Sequence, residues 1–222
     1  MDKKILLIYT GGTIGMVRTE AGYAPKAGYL RNFLLSIPAL GDPSMPQWEL
    51  LELCPLLDSS NMTVLDWNRI GRIIEEHYDA FDGFVILHGT DTMAYTASAL
   101  SFSLENLDKP VVITGSQIPL FEVRNDGLDN LLTAMMIAAE GRVHEVALCF
   151  SNKLMRGNRS VKTSATDLYA FSSPNYPALA DVGTSIQYNN MIPQRKPKGA
   201  FRVQELKKIP IGIIKVFPGT LK

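Results

Sequence analysis

The 222-residue chain carries 22 basic and 22 acidic residues, for a net charge of zero, and 46% of it is hydrophobic. That composition excludes a disordered chain and supplies enough apolar mass for one large domain, or for one domain plus part of another. The charge is uneven: residues 190–222 hold eight Lys/Arg against the single acid Glu205, leaving 14 bases against 21 acids elsewhere, the wrong sign on the main body for a nucleic-acid groove.

In chain order, KILLIY predicts a buried strand and leads into the glycine-rich turn YTGGTIGM, residues 9–16. YLRNFLLSI has helical spacing, ELLELCPL reads as strand, and TVLDWNRIGRIIEEHYDAF as an amphipathic helix. In that helix Thr63 and Asp66 stand where a capping box needs them, and Trp67, Ile70, Ile73, Ile74 and Tyr78 form one stripe. FVILH predicts a strand, TMAYTASALSFSLENL a helix, VVIT a strand, GLDNLLTAMMIAAEG a helix and VALCF a strand. Short apolar strands alternating with helices predict an α/β fold, a mostly parallel sheet with helices on both faces. In such sheets ligands bind beyond the carboxyl ends of the strands. The loops there are YTGGTIG, PLLDSSNM, LHGTDTM, TGSQIPL and FSNKLMRGNRSVKTS, all rich in hydroxyls, amides and glycine.

Beyond about Tyr188 the periodicity breaks, and NNMIPQRKPKGAFRVQELKKIP brings three prolines and much charge. This predicts a domain over 1–188, a solvated interdomain linker over 189–210, and in 211–222 (IGIIKVF, then PGTLK) the first strand of a second, smaller α/β domain. Cys54 and Cys149 each sit in an apolar, strand-like run, which predicts two buried free thiols and no disulfide framework. The apolar run before the first glycines is too short for a signal peptide, and LLTAMMIAA is too short to cross a membrane, so a cytoplasmic protein is expected. His77, His88 and His144 lie far apart without metal-ligand spacing, and His88, at a strand end, reads as a packing residue.

The first turn could hold a dinucleotide, since Gly12 and Gly15 fit two places of the G-x-G-x-x-G fingerprint. The first glycine, however, is Thr10, and no acid closes a second strand about 20 residues on. What the turn offers instead is the hydroxyl of Thr13, a nucleophile if a base lies beside it and a local turn hydroxyl if none does. Thr90 and Asp91 stand at a strand-to-helix turn, as helix caps or as reacting groups. Lys162 is a candidate base, provided it is held neutral; otherwise it is a surface lysine. RGNRSVKTS is not a phosphate loop, because Val161 stands where a glycine is required before the lysine. Asp58, Ser59 and Ser60 offer a carboxylate and two hydroxyls, suited to a small zwitterion or to an Asx turn.

Taken together, YTGGTIGM, GYAP, DSSNMT, DGFVILHGTDTMAYTASALSF, KPVVITGSQIPL and RGNRSVK resemble the bacterial L-asparaginase family, in its cytoplasmic type I branch, from about Lys4 to Gly219. TGGTIG and HGTDTM match the family's two signatures in order, each after a strand.

The resemblance implies an amidohydrolase that converts L-asparagine to L-aspartate and ammonia without metal or cofactor. It places the threonine nucleophile on Thr13, the tyrosine of a mobile closing loop on Tyr23, and the second threonine, aspartate and lysine on Thr90, Asp91 and Lys162. It places substrate binding on Asp58, Ser59, Ser60, Thr90 and Asp91. It further implies a homodimer or homotetramer, with no nucleic-acid or membrane partner, whose sites are completed by a neighbour's second domain. The alternative is a truncated, catalytically impaired amino-acid-binding module of the same family.

Overall fold

A computed structural model describes residues 2–20, 22–193 and 196–220. The chain runs β1 (Lys4–Gly11), a hairpin of β2 (Met16–Thr19) and β3 (Gly22–Pro25), α1 (Tyr29–Ser36), β4 (Gln47–Leu57), α2 (Val64–His77), β5 (Gly83–Leu87) and α3 (Met93–Ser103). It continues through β6 (Leu104–Glu105), β7 (Val111–Thr114), α4 (Gly127–Glu140), β8 (Val146–Phe150), β9 (Lys153–Arg156), β10 (Val161–Lys162) and β11 (Phe171–Ser172). The last strands are β12 (Ala180–Val182), β13 (Ile186–Tyr188) and β14 (Arg202–Val203).

Eight strands form the central sheet in the order β13-β12-β9-β8-β7-β5-β1-β4. The pairings from β4 to β8 are parallel, whereas β8–β9, β9–β12 and β12–β13 are antiparallel. The parallel part explains the unbroken apolar runs, because its central strands are covered on both faces. Alternation then assigns the faces. Ile5, Leu7, Tyr9, Val85, Leu87 and Val112 pack against α1 and α4, while Leu6, Ile8, Phe84, Ile86, Val111 and Ile113 pack against α2 and α3. Each fully buried aliphatic side chain of this set contributes roughly 1.5–3 kcal/mol.

The helices follow their local signals. Thr63 donates from both its backbone N–H and its hydroxyl to the Asp66 carboxylate, at 2.8 Å each, and so starts α2. Gly141, in the left-handed region at φ 65°, ends α4. The antiparallel extension was not expected. Its first turn consists of Ser151 and Asn152, both at positive φ, a two-residue hairpin without the glycine that usually marks one.

Four expectations differ from the structure. The helix expected to run to Leu107 stops at Ser103, because Leu104–Glu105 turns into a strand that pairs with Arg202–Val203. The solvated linker is instead strapped to the domain. Phe201 stacks on Tyr78 at 3.8 Å, Asn68 bonds Leu206 in both directions (2.9 and 2.8 Å), and Ser103 and Gln204 exchange bonds of 2.8 and 2.9 Å. Cys54 is exposed, because β4 is the edge of the sheet, while Cys149 is buried. IGIIKVF, expected as a strand, pairs with no described strand, and its Ile211, Ile213, Ile214, Val216 and Phe217 face solvent. Extended chain becomes a strand only beside an edge that bonds it, and residues 211–217 bond neither sheet edge, β4 or β13, among the described residues. Leu221 and Lys222, at the end of that expected strand, lie outside the described residues.

Candidate active site

The parallel strands run β4-β1-β5-β7-β8, so the chain leaves β1 toward one side for β4 and returns on the other for β5. The reversal between β1 and β5 opens a crevice at their carboxyl ends, the place where open α/β sheets bind ligands. The turn after β1 carries Thr13 and the turn after β5 carries Thr90. These turns touch. Gly12 has φ 91°, and a Cβ there would strike the backbone of His88 and Gly89; a Cβ on Gly89 would in turn strike the Ser59 side chain. Three loops therefore close on one another only because two glycines leave room.

Thr90 is buried and Lys162 nearly so, with its side chain 18% exposed. The Lys162 ammonium donates to Thr90 Oγ1 at 2.9 Å and to Asp91 Oδ1 at 2.7 Å. Lys162 belongs to β10, whose pairing with β11 gives it a rigid base. Thr13 is half-buried, and its hydroxyl bonds no described residue. Ser59 is buried and its carbonyl accepts the Thr92 hydroxyl at 2.6 Å, which ties the 58–60 turn to the start of α3. The Asp58 carboxylate accepts the Ser60 N–H at 2.9 Å and its hydroxyl at 2.8 Å, and these bonds hold its pKa below the usual carboxylate range. Ser60 is exposed. Tyr23, on the β2–β3 hairpin, is also exposed, and its hydroxyl donates to Glu122 at 2.6 Å; that bond raises its pKa. A cavity of about 630 Å³ opens beside the Lys162–Asp91 pair, lined among others by Tyr95, Ser98, Asn158 and Ser164.

Thr10, the residue that breaks the dinucleotide fingerprint, is buried and gives its hydroxyl to the Leu87 carbonyl at 3.0 Å, clamping β1 to β5 below the crevice. His88 is fully buried. Its Nδ1 meets the Gly89 carbonyl at 2.7 Å, and its Nε2 meets the Thr96 hydroxyl at 2.8 Å, which also accepts the Trp67 indole N–H at 2.9 Å. Burial lowers the His88 pKa to about 4, so the ring is neutral at pH 7. The packing role read from its strand-end position is what these contacts give it, and they also orient the Gly89–Thr90 peptide.

Two participants escaped the sequence reading. Gln117, inside TGSQIPL, accepts the Thr90 hydroxyl at 3.0 Å. Asp126 accepts the backbone N–H groups of Gln117 and Ile118 at 3.0–3.1 Å and so sets that loop. Their side chains were visible as an amide and an acid in the right loop, but nothing in the spacing says which of them reaches Thr90.

Residues 4–194 match the family model described as Asparaginase, N-terminal. The chain belongs to the asparaginase family. It is 52% identical over 217 residues to L-asparaginase 1 of Escherichia coli K12, an alignment covering 98% of this chain and 64% of that one. It is 40% identical to a mouse protein called 60 kDa lysophospholipase, covering 98% of this chain and 42% of that one. Among solved structures, L-asparaginase I of Vibrio cholerae superposes with a TM-score of 0.92 at 49% identity, covering 99% of this chain and 66% of that one. The chain thus spans just under two thirds of the length of its bacterial curated relative. Among the described residues, no helix is long and apolar enough to cross a membrane.

Proposed function

We propose that this chain carries the catalytic machinery of an L-asparaginase, an amidohydrolase that turns L-asparagine into L-aspartate and ammonia. The observation that supports this reading best is the Thr90–Lys162–Asp91 chain of contacts beside the Thr13 turn, at the strand-order reversal. In the proposed reaction, Thr13 Oγ attacks the side-chain amide carbon of the substrate. Ammonia leaves as an acyl-enzyme forms, and water then cleaves the ester to regenerate Thr13. Lys162 and Thr90 exchange the proton, which requires the lysine to pass through its neutral form. Asp91 orients the lysine or meets the substrate ammonium, with Asp58, Ser59 and Ser60 on the substrate's other backbone groups. Tyr23 belongs to the loop that closes over the crevice. Backbone N–H groups of the two turns hold the oxyanion, each worth about 3 kcal/mol.

The finer points belong to the same reading: a cytoplasmic homo-oligomer, a catalytic domain over 1–188, a linker over 189–210 that is strapped to it at residues 201–206, and in 211–222 a segment that becomes the first strand of a smaller second domain only when the rest of that domain lies beside it. The six exposed apolar side chains between Ile209 and Phe217 support the last of these, since they call for cover that the described chain does not supply. The test measures ammonia release from L-asparagine and L-glutamine and fatty-acid release from lysophosphatidylcholine, using the full-length protein. Asparagine turnover is expected to dominate. Fatty-acid release without ammonia would overturn the amidase reading, and asparagine binding without turnover would leave a binding module.

A further inference from the structure

We infer that Gln117 is a positioning residue that sets the direction of the Thr90 hydroxyl proton; this rests on the amidase reading, in which Thr90 relays a proton. The Gln117 carboxamide is held at both ends. Its Nε2 gives one hydrogen to the Ala165 carbonyl and the other to the Asp167 carbonyl, each at 3.1 Å. Both acceptors lack a hydrogen, so the amide cannot flip without placing oxygen against oxygen. Its Oε1 must therefore face Thr90, 3.0 Å away. Below, the Gln117 backbone N–H is pinned by the Asp126 carboxylate, at 3.0 and 3.1 Å to its two oxygens.

A threonine hydroxyl has one hydrogen to give and lone pairs to receive. Lys162 occupies a lone pair from 2.9 Å. The hydrogen points the other way, into Gln117. The resulting chain runs Lys162 N–H to Thr90 O–H to Gln117 C=O, and each bond polarises the next. Gln117, a neutral amide, cannot keep the proton. It parks it, so that Thr90 presents an oxygen to the lysine and turns its proton only when the lysine has become an acceptor. The same amide ties this alignment to the 163–167 loop, which directly follows Lys162 in the chain. The two ends of the Thr90–Lys162 contact are thereby fixed through one side chain, independently of the Asp91 ion pair.

The experiment compares wild type with Gln117→Leu, which keeps the branching volume but neither donor nor acceptor. Two readouts are taken: kcat and KM for L-asparagine, and the exchange rate of the Lys162 ammonium protons by side-chain ¹⁵N NMR without substrate. The inference expects kcat to fall at least about tenfold with KM within about threefold, as for a group acting on the reacting residues rather than on binding. It also expects the ammonium protons to exchange several-fold faster, because Thr90 becomes a poorer acceptor. An unchanged kcat or unchanged exchange overturns it, as does a loss confined to KM. Should Gln117→Leu fail to fold, Gln117→Glu carries the same readouts. That variant is expected to recover kcat toward acid pH, where a protonated carboxyl again gives a hydrogen to a loop carbonyl and an oxygen to Thr90; a loss of kcat that does not recover at acid pH overturns the inference. If wild type releases no ammonia, the amidase reading fails, while the NMR exchange still decides whether Gln117 orients Thr90.

Discussion

The two threonine turns at the crevice have the same pedigree, each a glycine-containing loop after a parallel strand, yet they are built differently. The Thr90 turn is immobilised: Lys162 and Gln117 hold its hydroxyl, His88 holds the carbonyl of Gly89, and α3 begins at its back. The Thr13 turn is a single 3-10 turn that leads into the exposed β2–β3 hairpin, and its hydroxyl is uncommitted among the described residues. In the proposed reaction the Thr90 turn is the proton path and the Thr13 turn supplies the oxygen that forms a new bond. That division suits a covalent mechanism, in which the attacking group must change partners while the relay keeps its geometry.

The most severe break of this comparison is to remove each hydroxyl. Thr13→Ala is expected to lower kcat by at least about a thousandfold, or roughly 4 kcal/mol, with substrate binding within about tenfold and the melting temperature unchanged. Thr90→Val is expected to lose as much activity but also stability, because it leaves Lys162 and Gln117 without their partner. Steady-state kinetics and calorimetry on both variants check this. Thr13→Ala retaining more than a few per cent of the rate would transfer the nucleophile to Thr90. Lys162→Met comes next, with an expected loss of about 10²–10⁴ in kcat, because in the proposed reaction Lys162, at hydrogen-bond distance from the Thr90 hydroxyl, is the group that takes up the proton. A residual rate near wild type would mean that the proton leaves by another route.

The third prediction concerns acid. His88 is neutral when folded because burial lowers its pKa from 6.5 to about 4. Its contribution to stability is therefore complete above about pH 6.5, shrinks as pH falls toward 4, and is lost below that, for about 3 kcal/mol in all. Urea unfolding between pH 7 and pH 4, with His88→Gln as the control, should show that slope reduced in the variant. An identical slope in both would show that His88 does not brace the Thr90 turn in this way. The smallest effect is expected at the hairpin. Tyr23→Phe removes an exposed contact to Glu122 and should lower kcat/KM by about threefold to tenfold without changing the melting temperature. No change at all would detach the hairpin from the reaction.

The parallel strands β1, β4, β5, β7 and β8, the four helices and the loops beyond the strands' carboxyl ends were legible in the sequence, because apolar periodicity and glycine punctuation are local signals. Thr13, Thr90, Asp91 and Lys162 were legible as members of motifs. What the sequence could not determine is what lies across space. The Lys162–Thr90 contact joins residues 72 apart. The Thr90–Gln117 bond joins two loops whose adjacency depends on the strand order. The strap of residues 201–206 looks like a polar linker because it has no periodicity of its own. It is ordered by what receives it: the Tyr78 ring, the Asn68 amide and the unpaired backbone of Leu104–Glu105. The antiparallel strands after Phe150 were missed for the same reason: two- to four-residue strands carry too little pattern to be seen alone, and only an existing sheet edge makes them strands. Local chemistry determined which residues were available to react, and the tertiary structure decided which of them meet, because hydrogen bonds and ladders are completed by partners that no local pattern names.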